Sequence, residues 1–172
     1  MKKNLLFSIV GILILAATLF GFSPTDKKTK ATISSTEIQW MSFEQAIQAN
    51  QKKKKKIFID MYTSLCVWCK VMDQKTFTNG EVISYINEHF YAVKFDAEQR
   101  EPITFNGKKY EFIPTGRRGI HGLAYDLLNR SASYPSFVLL DENFNRFGIL
   151  KGFKAPDLFL NLLKSKLEDG ES

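Results

Sequence analysis

Two cysteines, Cys66 and Cys69, are the entire thiol complement of this 172-residue chain, and they stand in the tetrad Cys66-Val67-Trp68-Cys69. On one helical turn, residues three apart share a face, close enough for their sulfurs to join after a modest shift. At a helix N-terminus, unpaired N–H groups and the positive end of the dipole stabilise a thiolate and lower its pKa. Cys66, the outer of the pair, is therefore the candidate nucleophile. Cys69, one turn inside, is the candidate resolving thiol that releases a mixed disulfide. Other uses of the pair fit less well. A structural zinc site needs four ligands, and only His89 and His121 remain as soft donors, at unsuitable spacing. A c-type haem site needs His directly after the second cysteine, where Lys70 stands. A purely structural disulfide of this span closes too small a loop to gain much entropy. With no Gly-rich phosphate loop and no clustered ligands, neither flavin, nicotinamide nor metal is called for.

A tetrad of this kind needs a strand to deliver it and a helix to receive it. Ile57 to Tyr62 (IFIDMY) is short and nearly continuously apolar, which suits a central strand covered on both faces. Thr63-Ser64 then leads into a helix that opens with the cysteines. Upstream, Ser42 and Gln45 make a capping box for a helix to about Asn50. Downstream, Glu81 to Glu88 reads as a short helix and Phe90 to Phe95 as a second buried strand. Ile103 to Phe105 and Tyr110 to Phe112 flank Asn106-Gly107, a dipeptide favoured in type I′ hairpin turns. His121 to Leu128 has helical spacing. Ser136 to Leu140 and Phe147 to Leu150 read as a strand pair, and Pro156 opens an amphipathic helix through Leu167. Alternating helices and strands followed by a hairpin and helix predict an α/β fold, a three-layer sandwich around a small mixed sheet.

The stretch Ile59 to Lys70 resembles the active-site segment of the thioredoxin superfamily. Its extension Val71 to Phe77, with Val93-Lys94-Phe95-Asp96, is similar to exported thioredoxin-like proteins related to the C-terminal domain of the membrane electron transporter that reduces periplasmic disulfides. The resemblance spans about Glu37 to Leu167. It implies a thioredoxin fold with an inserted hairpin plus helix before a cis-proline, Pro135. It also implies catalytic roles for Cys66, Cys69 and Asp60, the last as a buried acid that handles the proton of the second thiol. A carboxylate desolvated on such a strand has a raised pKa; the alternative is a strand-end group facing solvent. Pro135 implies a substrate-binding edge beside the cysteines, or else is an ordinary trans proline at a strand start. The sequence departs from reducing thioredoxins at Val67-Trp68, at Leu65 and at Tyr134. Trp68 either shields the cysteines and meets a partner or packs half exposed. Tyr134 either narrows the substrate groove or simply packs. In the long segment 97–133, Arg117, Arg118 and His121 are candidate contact residues, against a solvated loop.

Formal net charge is +6. Apart from Lys2, Lys3 and the run Lys52 to Lys56, basic and acidic residues nearly balance, whereas a nucleic-acid binder spreads its Lys and Arg over a face. No nucleic-acid partner is expected. The run reads as a solvated loop or helix end, with an anionic-membrane or acidic-partner contact as the alternative. Met1 to Asn4 is a positive leader, and Leu5 to Phe22 holds no charge over eighteen residues, which as a helix is about 27 Å long. Residues 1–22 are thus a signal peptide or an uncleaved membrane anchor, 23–36 a polar linker and 37–172 the thioredoxin-like domain. The expectation is an exported thiol–disulfide oxidoreductase in the periplasm or cell envelope, with the membrane met only through its N-terminal segment. It would reduce protein disulfides with electrons from a membrane thiol donor. A partner-binding or chaperone module and a copper-handling protein are the alternatives.

Overall fold

The computed structural model describes residues 35–170. The leader and most of the linker lie outside them. Among the described residues no helix is long and apolar enough to cross a membrane.

The chain runs β1 (Trp40–Met41), α1 (Phe43–Lys52), β2 (Lys56–Tyr62), α2 (Val67–Lys75), α3 (Gly80–His89), β3 (Phe90–Asp96), β4 (Ile103–Phe105), β5 (Lys108–Tyr110), β6 (Phe112–Thr115), β7 (Arg118–His121), α4 (Gly122–Leu127), β8 (Ser136–Leu140), β9 (Arg146–Lys151) and α5 (Pro156–Gly170). The main sheet has the order β1-β3-β2-β8-β9. β2 is central, parallel to β3 and antiparallel to β8. A parallel pair requires a crossover, which α2 and α3 supply.

Strand alternation splits the core into two layers. Ile57, Ile59 and Met61 face one side, with Phe43 and Ala46 of α1 and Leu123 and Ala124 of α4. Phe58, Phe137 and Leu139 face the other, with Met72 of α2, Ile83 and Ile86 of α3, and Phe159 and Leu163 of α5. Phe58 stacks on Phe137 with ring centroids 5.7 Å apart, and the edge of Phe159 meets Phe137 at 5.1 Å. The expected three-layer sandwich with a mixed sheet is present. Helix α1 starts as the capping box requires. The Ser42 N–H donates to Gln45 Oε1 at 2.8 Å, and the Gln45 N–H donates to Ser42 Oγ at 3.2 Å.

Two local expectations need correcting, and one element is added. The Asn106-Gly107 turn joins Phe105 directly to Lys108, with both turn residues at positive φ. A two-residue loop pairs its immediate neighbours, so the partner strand is 108–110 and not 110–112. Phe112 instead begins a second hairpin, β6–β7, so the insertion holds two hairpins and a helix. The short edge strand β1, paired with β3 at Trp40 and Met41, has too few residues to show a period.

The lysine run spans the last residue of α1, the link that follows and the first residue of β2, at the end of that strand opposite the cysteines. Lys55 Nζ donates to the Asn87 carbonyl at 2.6 Å, and Lys56 pairs with Glu142 at 3.1 Å. The end of the run is thus bonded into the fold rather than freely solvated.

Candidate active site

β2 ends at Tyr62, and Thr63 accepts the Cys66 N–H at 3.1 Å, turning the chain into α2. Cys66 is the N-cap of α2 in extended backbone. It is bonded to Cys69 in a disulfide with Cα atoms 5.3 Å apart. Cys66 Sγ accepts the Cys69 N–H at 3.1 Å. The first turn carries no acidic residue, so nothing there opposes negative charge on that sulfur. Cys66 is half-buried, whereas Cys69 is only 3% exposed. The two sulfurs are thus unequal: an attacking partner reaches Cys66 first.

An apolar rim surrounds the pair. Leu65, Val67 and Trp68 are 70%, 69% and 58% exposed, and Trp68 tilts against Phe153 at 5.6 Å. The Tyr134–Pro135 peptide is cis. Trp68, Tyr134, Pro135, Gly152 and Phe153 line one shallow hollow of about 240 Å³. All three residues expected to meet a substrate therefore converge. Burial, reinforced by Glu98 and Asp96, pushes the Tyr134 phenol up to about 12. Phe153 and Gly152 were missed. The hairpin register, with Ser136 opposite Lys151, places them beside Pro135, and the Gly152 N–H donates to the Pro135 carbonyl at 2.8 Å.

Asp60 is not a solvent-facing strand end. It is 1% exposed, and its Oδ1 is buried without a hydrogen-bond partner. Oδ2 accepts from Lys94 Nζ at 2.6 Å, as the β2–β3 register, Asp60 opposite Lys94, requires. Lys94 also bonds Asp73 of α2, and Trp40, Tyr62 and Phe77 hold its ammonium at 5.0 to 5.5 Å from their ring centres. Desolvation raises Asp60 to about 6, against the downward pull of Lys94. Burial by itself would lower Lys94, but Asp60 and Asp73 together outweigh it and hold the amine above its ordinary value. A carboxyl titrating near neutrality inside the fold can act as a general base. Lys94 and Asp73 stood in the sequence with no role assigned to them. Their convergence depends on register and on the packing of α2 over the sheet, which no local signal carries.

His121 is not a contact residue. It is fully buried as the N-cap of α4, where Nδ1 accepts the Leu123 N–H at 3.2 Å and Nε2 lies 3.1 Å from the Glu101 carbonyl. Desolvation lowers its pKa, which favours the neutral ring that this bonding requires. Arg118 is exposed and pairs with Glu98 at 2.9 Å; Arg117 is exposed at the β6–β7 turn.

A family model described as Thioredox_DsbH, protein of unknown function (DUF255), matches residues 30–116. Among curated relatives, Spermatogenesis-associated protein 20 of Homo sapiens is 31% identical over 67 residues, 38% of this chain and 8% of that protein. The chain thus spans a small fraction of the curated relatives it matches. Among solved structures, DsbH oxidoreductase superposes with a TM-score of 0.57 at 17% identity, covering 85% of this chain and 95% of that one. A putative disulphide-isomerase from Bacteroides thetaiotaomicron gives 0.55 at 21% identity, covering 76% and 92%. At these identities the structural likeness establishes the fold, which is that of thioredoxin.

Proposed function

The chain belongs to the Thioredox_DsbH family, and from that membership and its disulfide site we propose that it is an exported thiol–disulfide oxidoreductase that reduces protein disulfides. The observation that carries this reading is the inequality of the sulfurs. Cys66 is reachable at a helix N-cap with a backbone N–H directed at it, and Cys69 is shielded behind it. In the reduced protein the Cys66 thiolate attacks a substrate disulfide, forming a mixed disulfide and expelling one substrate sulfur as a thiolate. Cys69 gives its proton to Asp60 and attacks Cys66 Sγ. The Cys66–Cys69 disulfide forms, and the second substrate sulfur leaves. Two electrons pass from the dithiol to the substrate. The apolar rim at Leu65, Val67 and Trp68 and the hollow beside Pro135 suit an extended, partly apolar polypeptide around the target disulfide. Export is supported by the positive, then uncharged, N-terminal segment, and a membrane thiol donor would return the electrons.

The test is reduction of insulin by the dithiol form. Activity is expected in the native protein and none in Cys66→Ser. Equilibration with glutathione sets the direction: a potential of about −270 mV supports a reductase, and one of about −120 mV identifies an oxidant and overturns the reducing assignment.

A further inference from the structure

The loop 151–154 carries Gly152 and Phe153, two of the residues that line the hollow beside the disulfide. Its backbone is tied on two sides. The Gly152 N–H donates to the Pro135 carbonyl at 2.8 Å. Lys154 is held on α2, the helix that carries Cys69. There Thr76 Oγ1 donates to the Lys154 carbonyl at 2.6 Å, and the Lys154 N–H donates to Met72 Sδ at 3.4 Å. Thr76 and Met72 are fully buried, so the end of the loop is fixed to the core.

The Lys154 side chain turns back on the loop that it ends. Its ammonium donates to the Lys151 carbonyl, to the Gly152 carbonyl at 3.5 Å and to the Phe153 carbonyl at 3.4 Å. An ammonium has three donors and no acceptor, and three consecutive carbonyls meet it here. Gly152 stands at φ +76°, a left-handed conformation that glycine enters without steric cost, and the bend brings neighbouring carbonyls to one cation. Among the described residues no salt bridge engages Lys154. Its charge serves the backbone of the loop.

We propose that Lys154 is a positioning residue for substrate specificity. By closing on the loop it fixes Phe153 against Trp68, 5.6 Å away between ring centres, and so shapes a subsite for an aromatic or large aliphatic side chain beside the target disulfide. This inference rests on the exchange activity proposed above. Without the ammonium the three carbonyls turn to water, and the loop must be ordered again each time a substrate binds, which weakens binding. The reacting sulfurs are held by the N-terminal turn of α2 and not by this loop, so the maximal rate of exchange is unaffected.

The test reacts the reduced full chain, in single turnovers, with two oxidised peptides that differ only in Phe or Ser beside one cysteine. The rate is followed against peptide concentration. The native protein should half-saturate at about fivefold lower concentration with the Phe peptide, at equal maximal rates. Lys154→Met keeps the apolar stem and donates nothing. It should raise half-saturation by the Phe peptide about threefold, and leave the Ser peptide and both maximal rates within about twofold. Added to Phe153→Ala it should cause no further loss, because residues that act through one another are not additive. Amide exchange at Gly152 should quicken in Lys154→Met. The proposal is overturned if Lys154→Met weakens both peptides equally, if its effect multiplies with that of Phe153→Ala, or if Gly152 exchanges as in the native protein. A native protein that reduces neither peptide overturns the exchange reading and the specificity role together, and Gly152 exchange then still reads the loop clamp by itself.

Discussion

The buried carboxyl makes a quantitative claim about stability. Asp60 titrates at about 6 in the folded protein against a reference of 3.8. Folding therefore raises its proton affinity, and the native state binds more protons than the unfolded state between these values. Stability must fall as pH rises through this window, with the loss complete above about pH 6 and absent below about pH 4. A shift of about 2 units corresponds to roughly 3 kcal/mol. Asp60→Asn keeps the shape and leaves a side-chain carbonyl oxygen able to accept from Lys94, but it has nothing to ionise. The oxidised variant should match the native protein near pH 4 and exceed it by about 3 kcal/mol at pH 8. Urea unfolding of both proteins across this range, in the disulfide form so that Cys69 does not titrate, reads the difference from the midpoints at constant m. A difference that stays flat with pH refutes the reasoning. A variant that grows less stable than the native protein as pH rises does so too, because it would mean that the Lys94 pair outweighs desolvation.

Phe137 is fully buried among Phe58, Phe77 and Phe159, so Phe137→Ala should lose about 4 kcal/mol in the same unfolding assay. A Cβ at Gly119 would collide with the Phe112 ring and the Ile113 carbonyl oxygen. Gly119→Ala should destabilise the protein by about 2 kcal/mol and speed amide exchange in the β6–β7 hairpin more than in the main sheet. Trp68 is exposed two residues from Cys66, so under the proposed function Trp68→Ala should raise KM for insulin by roughly fivefold. Its reaction with a small aromatic disulfide should change little. Equal effects on both substrates would show that Trp68 acts on the sulfur and not on the polypeptide.

The parts of the site legible in the sequence were those with a local cause. An apolar run entering a polar turn marks the strand that delivers Cys66, and cysteine spacing on one helical turn marks the disulfide. The capping box at Ser42 and the amphipathic period of α5 are of the same kind. The insertion was read poorly because its strands are only three or four residues long, too short for alternation to separate strand from loop. His121 was misplaced for a related reason. An imidazole capping a six-residue helix and one reaching into solvent have the same neighbours in sequence.

What the chain's order of residues determined by itself was the identity of the disulfide pair, the strand beneath it and the alternation that layers helices on both faces of a sheet. Each follows from steric preference or periodicity within a few residues. Tertiary structure alone decided that one oxygen of Asp60 is left unpaired and that Lys94 bridges Asp60 to Asp73. It also decided that Phe153 completes the hollow beside Pro135. These depend on strand register and helix packing between segments 13 to 34 positions apart and more. Burial and electrostatic coupling arise only when such segments are brought together, because desolvation is a property of the surroundings and not of the residue.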